Sequence, residues 1–124
     1  MNLYQENILD HNHDPRNFGT LDDASISHTE KNPLCGDMYT IHLKISKDEI
    51  TDVRFEGDGC AISKASLSML TEQLTGKTLG EIPHISKDDI VQNLGIELTP
   101  TRLKCALIGL QAVQESVKLY SASL

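Results

Sequence analysis

The chain has 124 residues, of which 39% are hydrophobic and 23% are charged, and its formal net charge at pH 7 is −7. This length suffices for one core, so we expect residues 1–124 to form a single domain. The acidic balance argues against nucleic-acid binding, which needs a basic surface. No apolar run is long enough to span a membrane, and the N-terminus lacks the pattern of a secretory signal. The chain is therefore predicted to be cytoplasmic, without membrane or nucleic-acid partners.

The first half of the chain predicts one short helix and then a sheet. The helix is expected to end at Asp14-Pro15, because proline cannot continue it. Alternation of apolar and polar residues predicts three strands, at residues 24–28, 38–45 and 49–55. Tyr39, Ile41, Leu43 and Ile45 share one face of the second strand, and Val53 and Phe55 share one face of the third. Since the other face is polar, we expect an antiparallel sheet that is covered on one side only.

The second half of the chain predicts helices. Three stretches carry apolar residues at helical spacing: residues 60–75, 86–95 and 99–121. Thr99 and Pro100 are typical of a helix start, and Gly76 and Gly95 are typical of helix ends. Strands followed by helices indicate an α+β fold. We expect a two-layer sandwich, with a three-stranded antiparallel sheet and helices packed on one face.

Three cysteines occupy three different settings. Cys35 lies in the loop sequence NPLCGD, Cys60 lies at a predicted helix start, and Cys105 lies in the second turn of the last predicted helix. Unpaired N–H groups at a helix start stabilise a thiolate. If the chain turns at Gly36, the Asp37 carboxylate can point to the same centre as Cys35. Three thiolates and one carboxylate are enough ligands for tetrahedral zinc or for one iron–sulfur cluster.

Spacing alone leaves two interpretations of the cysteines open. Cys35 and Cys60 are 25 residues apart, Cys60 and Cys105 are 45 residues apart, and neither interval is a CxxC metal motif. Cysteine without a disulfide is commonly buried, so three separate core residues are one interpretation. Glycines flank Cys35 and Cys60 and leave the backbone open to a metal or a partner, which favours the other interpretation, a single site.

Five segments of the chain carry a family resemblance. They are HDPRNFG (13–19), NPLCGD (32–37), FEGDGCAIS (55–63), ASLSMLTEQLTGKTLGE (65–81) and RLKCALIGLQAV (102–113). In this order they resemble the iron–sulfur cluster assembly proteins of the NifU N-terminal domain, IscU and SufU type. The resemblance implies that a ligand group lies at one exposed end of an α+β sandwich and holds a transient [2Fe-2S] cluster, or Zn²⁺ in some members. The implied ligands are Cys35, Asp37, Cys60 and Cys105.

The function implied by this resemblance is that of an assembly scaffold, rather than an enzyme in the strict sense. Such a scaffold accepts persulfide sulfur from a cysteine desulfurase, with Cys105 as the first acceptor, and takes up iron. It builds a [2Fe-2S] cluster and transfers it to iron–sulfur acceptor proteins. The alternative is a zinc-dependent SufU-type sulfurtransferase that relays sulfur to another scaffold, and a third possibility is a zinc-stabilised binding module. We expect a monomer or a weak homodimer.

Three differences from family members bear on this choice. Lys104 stands where the IscU branch has histidine before the third cysteine, and SufU-type members carry a basic residue there. The interval between Cys60 and Cys105 has no room for the extra segment of SufU-type members. The sequence LTPTRLK also differs from the Leu-Pro-Pro-Val-Lys that a dedicated chaperone recognises in the IscU branch. We expect the Lys104 cation to favour the Cys105 thiolate and to attract a negatively charged persulfide.

Overall fold

A three-stranded sheet and four helices make up the structure, a computed structural model that describes residues 2–33 and 36–124. In chain order the elements are α1 (Leu3–His13), β1 (Ile26–Asn32), β2 (Asp37–Ser46), β3 (Glu49–Asp58), α2 (Ala61–Leu74), a 3-10 turn (Ile82–His84), α3 (Lys87–Leu94) and α4 (Pro100–Ala122). The sheet is antiparallel throughout, with strand order β1-β2-β3. This architecture confirms the predicted α+β sandwich.

The inner face of the sheet is apolar because alternate residues of a strand point to the same side. The fully buried side chains on this face include Tyr39, Ile41, Leu43, Val53 and Phe55. The helices α2 and α4 cover this face, and α1 packs on α2. The two covering helices meet closely at Gly109, where a Cβ atom would lie 2.7 Å from Leu67 Cδ1. The alternation in β2 and β3 therefore predicted the inward face of the sheet correctly.

The strand β1 lies later in the chain than its pattern predicted. Alternation indicated residues 24–28, whereas the strand runs Ile26–Asn32 and its last residue pairs with Asp37 of β2. As an edge strand, β1 has no fully buried residue, so its second half shows no apolar alternation. Pairing with β2 determines where β1 begins and ends, and the local sequence pattern carries no information about that pairing.

The helix ends follow their capping residues. Ser86 and Thr99 precede α3 and α4, and their hydroxyls accept N–H groups of the first turn. Gly95 ends α3 in the left-handed conformation, with φ 69°. The predicted helix bounds are confirmed to within one or two residues. In the described part of the chain, no helix combines the length and the apolar character needed to cross a membrane.

The helix α2 carries buried hydroxyl groups that the apolar pattern did not predict. These residues are Ser63, Ser66, Ser68 and Thr71. Ser66 Oγ donates to the Ala106 carbonyl of α4 at 2.7 Å, and Ser68 Oγ lies 2.7 Å from His11 Nδ1 of α1. Polar groups that are buried need such partners. Hydrogen bonds thus tie α2 to the helices on both sides of it.

Candidate metal centre

Three of the predicted ligands meet at one end of the sheet. Asp37 is the first residue of β2, Cys60 is the residue before α2, and Cys105 lies in the second turn of α4. One Asp37 carboxylate oxygen and the sulfurs of Cys60 and Cys105 all lie within 4.8 Å of one another. The fold therefore offers one oxygen and two sulfur donors to a single ion, a donor set that suits zinc or iron.

The fourth predicted ligand, Cys35, lies outside the described residues. Gly36 follows Cys35 in the chain, and its N–H donates to the carbonyl of Asn32, which precedes Cys35, at 2.8 Å. Asn32 also pairs with Asp37 across β1 and β2. The connection that contains Cys35 therefore starts and ends at the same end of the sheet as Asp37. The role of Cys35 stays a prediction.

Asp37 and Cys60 are held together by a hydrogen bond to the backbone. Asp37 Oδ1 accepts the Cys60 N–H at 3.1 Å, and Asp37 Oδ2 lies 4.0 Å from Cys60 Sγ. Asp37 is 2% exposed, whereas Cys60 is exposed. Cys60 Sγ caps α2 by accepting the Ser63 N–H at 3.4 Å. The positive end of the α2 dipole therefore faces this sulfur, as suits an anionic ligand.

Cys105 reaches the same site from the helix layer. It is 4% exposed, so solvent reaches Cys60 more readily than Cys105. The bond from Ser66 to the Ala106 carbonyl lies next to Cys105 in the chain. Because Ser66 lies in the second turn of α2, this bond fixes the start of α4 relative to the start of α2. The two sulfurs are thereby held at a defined separation.

Two buried hydroxyl groups lie next to the candidate ligands, on the side of the protein core. The Tyr39 hydroxyl is 2.8 Å from Ser63 Oγ, and Ser63 Oγ donates to the Cys60 carbonyl at 3.0 Å. Gly59 leaves the space for them, since a Cβ atom there would lie 2.6 Å from Ser63 Oγ, 2.6 Å from the Tyr39 oxygen and 2.7 Å from Asp37 Cγ. Burial raises the pKa of Tyr39 above its ordinary value, so the phenol keeps its proton.

Sequence reasoning missed the position of Tyr39 and Ser63 beside this site. It placed Tyr39 on the inner face of the sheet and said nothing of its hydroxyl. A signal was available, because residues two apart in a strand share a face and Tyr39 is two residues after Asp37. For Ser63 the signal was its place at the third helical position, where it faces the capping residue.

Lys104, the residue before Cys105, is exposed. It lines a surface cavity of about 240 Å³ together with Lys31, Asn32, Pro33 and Gln111. Two lysines of a strongly acidic chain therefore share one cavity, on the β1 side of the ligand group. Two cations in one cavity attract anions. The predicted effect of Lys104 on the Cys105 thiolate stays a prediction.

Asp58 serves the turn that leads into α2. Its Oδ1 accepts the Gly59 N–H at 2.9 Å and lies 3.2 Å from Lys64 Nζ. The Gly59 N–H and then Lys64 hold the pKa of Asp58 below its ordinary value. Asp58 therefore stays ionised at neutral pH, and its ion pair with Lys64 joins the end of β3 to the first turn of α2.

The fold and the site define a class of protein: a small α+β sandwich that brings two cysteine sulfurs and a carboxylate together at one end. Residues 3–123 match the family of NifU-like N-terminal domains. The iron–sulfur cluster assembly scaffold protein IscU 1 of Archaeoglobus fulgidus is 35% identical over 118 residues, which cover 95% of this chain and 76% of that protein. The zinc-dependent sulfurtransferase SufU of Bacillus subtilis is 36% identical over 132 residues, which cover 93% and 89%.

Solved structures show the same fold. The N-terminal part of a nitrogen-fixing NifU-like protein from Brucella abortus superposes with a TM-score of 0.82 at 20% identity, covering 98% of this chain and 96% of that one. The chain belongs to the NifU-like N-terminal domain family of iron–sulfur cluster assembly proteins, as its sequence motifs predicted.

Proposed function

We propose that the protein is an iron–sulfur cluster assembly scaffold. It takes persulfide sulfur from a cysteine desulfurase and iron from solution or a carrier, builds a [2Fe-2S] cluster and passes it to acceptor proteins. One observation carries the proposal: an Asp37 oxygen and the sulfurs of Cys60 and Cys105 lie within 4.8 Å of one another. A relative named as an IscU assembly scaffold supports this role.

The proposed ligands are Asp37, Cys60, Cys105 and, as the fourth, Cys35. Thiolates are the usual ligands of iron–sulfur clusters, and a carboxylate can complete a zinc site. An oxygen donor binds sulfide-bridged iron less tightly than a fourth thiolate would, because thiolate is the softer ligand. One carboxylate among three thiolates therefore suits a carrier that must release its cargo.

Cys105 is the proposed sulfur acceptor. Its thiolate attacks the outer sulfur of the desulfurase persulfide, the S–S bond breaks, and the desulfurase cysteine leaves as a thiolate. Lys104 favours the Cys105 thiolate and attracts the anionic persulfide. Because Cys105 is 4% exposed, this attack requires the residues over it to move, whereas the exposed Cys60 can be reached directly. The transferred sulfur should therefore be mapped on both cysteines.

Anaerobic reconstitution tests the scaffold role. Metal-free protein is incubated with ferrous iron, cysteine, a reductant and a cysteine desulfurase, and the visible spectrum is recorded. We expect the absorption of a [2Fe-2S] cluster in the wild type, its loss in Cys105→Ser, and transfer to an apo-ferredoxin. The control is Ser116→Ala, which removes a buried hydroxyl further along α4. The proposal is wrong if the wild type forms no chromophore, or if Cys105→Ser forms it equally well.

A zinc-dependent sulfurtransferase is the second candidate. Lys104 beside Cys105 and the identity with the Bacillus subtilis sulfurtransferase favour it. Protein loaded with zinc is mixed with desulfurase and cysteine, and bound zinc, desulfurase turnover and persulfide on each cysteine are measured. Faster turnover with zinc retained supports the relay, whereas loss of zinc as a cluster forms supports the scaffold. Both roles need reduced thiols, which a cytoplasmic location provides.

A further inference from the structure

We propose that Tyr39 and Ser63 are positioning residues that hold Asp37 and Cys60 at metal-binding distance. Neither side chain belongs to the donor group of Asp37, Cys60 and Cys105. Their hydroxyls instead connect β2, which carries Asp37, to the first turn of α2, which Cys60 caps. This inference rests on the proposed function, because it concerns the same metal centre.

The direction of the hydrogen bonds follows from the available protons. Ser63 has one hydroxyl proton, which it donates to the Cys60 carbonyl at 3.0 Å. Ser63 Oγ must therefore accept the proton of the Tyr39 hydroxyl, which lies 2.8 Å away. A continuous path of donors and acceptors thus runs from β2 through Tyr39 and Ser63 to the backbone of Cys60.

A second bond joins the same strand to the same residue. Asp37 Oδ1 accepts the Cys60 N–H at 3.1 Å. Strand β2 therefore holds Cys60 at both of its backbone polar groups, the N–H through Asp37 and the carbonyl through Tyr39 and Ser63. Within α2 the Cys60 carbonyl also accepts the Lys64 N–H at 3.1 Å, which fixes Cys60 relative to the helix. The two links from β2 fix its orientation relative to the strand that carries Asp37. The direction in which Cys60 Sγ points is set by that orientation.

The Tyr39–Ser63 pair is rigid because it is buried. Tyr39 is 0% exposed and Ser63 is 1% exposed. The Tyr39 ring packs edge-to-face on Phe55, with ring centroids 6.0 Å apart. Water is excluded from this position, so a lost hydrogen bond is not replaced by one to solvent. The pair is therefore suited to hold two ligands in place when the site is empty.

Tyr39→Phe tests the inference because it removes the hydroxyl and keeps the ring. The probe is Co²⁺ added to metal-free protein, in competition with a chelator. We expect the affinity for Co²⁺ to fall about 10-fold, as when the partner of a metal ligand is lost, together with a changed ligand-field spectrum. The matched control is Ser116→Ala, whose buried hydroxyl bonds the Ala112 carbonyl inside α4. It should leave the affinity and the spectrum unchanged, even if it lowers the thermal stability equally.

Ser63→Ala removes the second hydroxyl of the same path. The backbone N–H of residue 63 can still donate to Cys60 Sγ. This variant should also weaken Co²⁺ binding, and it decides the matter if Tyr39→Phe does not fold. The double variant should bind Co²⁺ no more weakly than Ser63→Ala alone, because groups that act through one path are not additive. Additive losses, or single variants with wild-type affinity and spectrum, overturn the inference. If the wild type itself binds no Co²⁺, the proposed metal centre fails and this inference fails with it.

Discussion

The two ends of the sheet are held together in different ways. The far end contains the β2–β3 turn, and there the links are hydrogen bonds between backbone groups. The Leu79 N–H donates to the Asp48 carbonyl and the Ile50 N–H donates to the Lys77 carbonyl, both at 2.9 Å. At the ligand end, the links run through side chains, as from the Cys60 N–H to Asp37 Oδ1. Almost any residue can make backbone bonds, whereas side-chain bonds need particular residues. Substitutions should therefore change function at the ligand end and only stability at the far end.

The largest effect is expected from removing a ligand. Cys60→Ser should weaken zinc binding by about 100-fold or more, beyond the roughly 10–100-fold that loss of a ligand's partner costs. The serine hydroxyl can still cap α2, so the stability of the metal-free protein should change little. Competition with a zinc chelator measures the affinity, and thermal unfolding without metal is the control. Unchanged zinc affinity would contradict the proposed role of Cys60 as a metal ligand.

Two glycine substitutions compare the ends directly. Gly59→Ala places a Cβ atom 2.6 Å from the hydroxyl oxygens of Tyr39 and Ser63, so it should lower the free energy of unfolding by about 1–3 kcal/mol. At the far end, Gly80→Ala has Thr78 Oγ1 at 4.0 Å as its nearest neighbour, so the change should stay within about 0.5 kcal/mol. Urea unfolding measures both variants. Equal losses would show that the side chains around Gly59 do not constrain the ligand end more tightly than the far end is constrained around Gly80.

Two lysines on α4 test the electrostatic part of the comparison. Lys104→Gln should slow persulfide transfer to the protein by about fivefold at most, since an exposed charge contributes up to about 1 kcal/mol. Lys118→Gln is the matched control, because Lys118 is 14 residues further along the same helix, or about 21 Å. Mass spectrometry of the persulfide over time gives the rates. The difference in rate between the wild type and Lys104→Gln should shrink as salt is added, because salt screens the charge. Equal slowing by Lys104→Gln and Lys118→Gln would show that Lys104 has no special role.

The smallest effect is expected at the β2–β3 turn. Lys47 and Asp48 have φ values of 53° and 61°, which Asn-Gly adopts more readily than Lys-Asp in a two-residue hairpin turn. The double substitution Lys47→Asn and Asp48→Gly should raise the free energy of unfolding by about 0.5–1 kcal/mol. Zinc affinity should stay the same. A changed affinity would mean that the far end is coupled to the metal centre.

Local pattern was enough to predict most of the fold. Alternation placed Ile41 and Phe55 on the buried face, and Ser86 and Thr99 marked helix starts, because these features depend on neighbours in the chain. The position of β1 was predicted wrongly, because an edge strand is defined by its partner. The buried hydroxyl of Ser63 was missed for a related reason, since its partner Tyr39 lies on another element.

By itself, the sequence determined the chemistry that is available at the site. The residue types and their motifs predicted Cys35, Asp37, Cys60 and Cys105 as ligands and identified the family. Only the tertiary structure decided that donors of Asp37, Cys60 and Cys105 lie within 4.8 Å of one another. Spacing along the chain sets local geometry alone. Contact between residues that are 45 positions apart depends on how the sheet and the two covering helices pack as a whole.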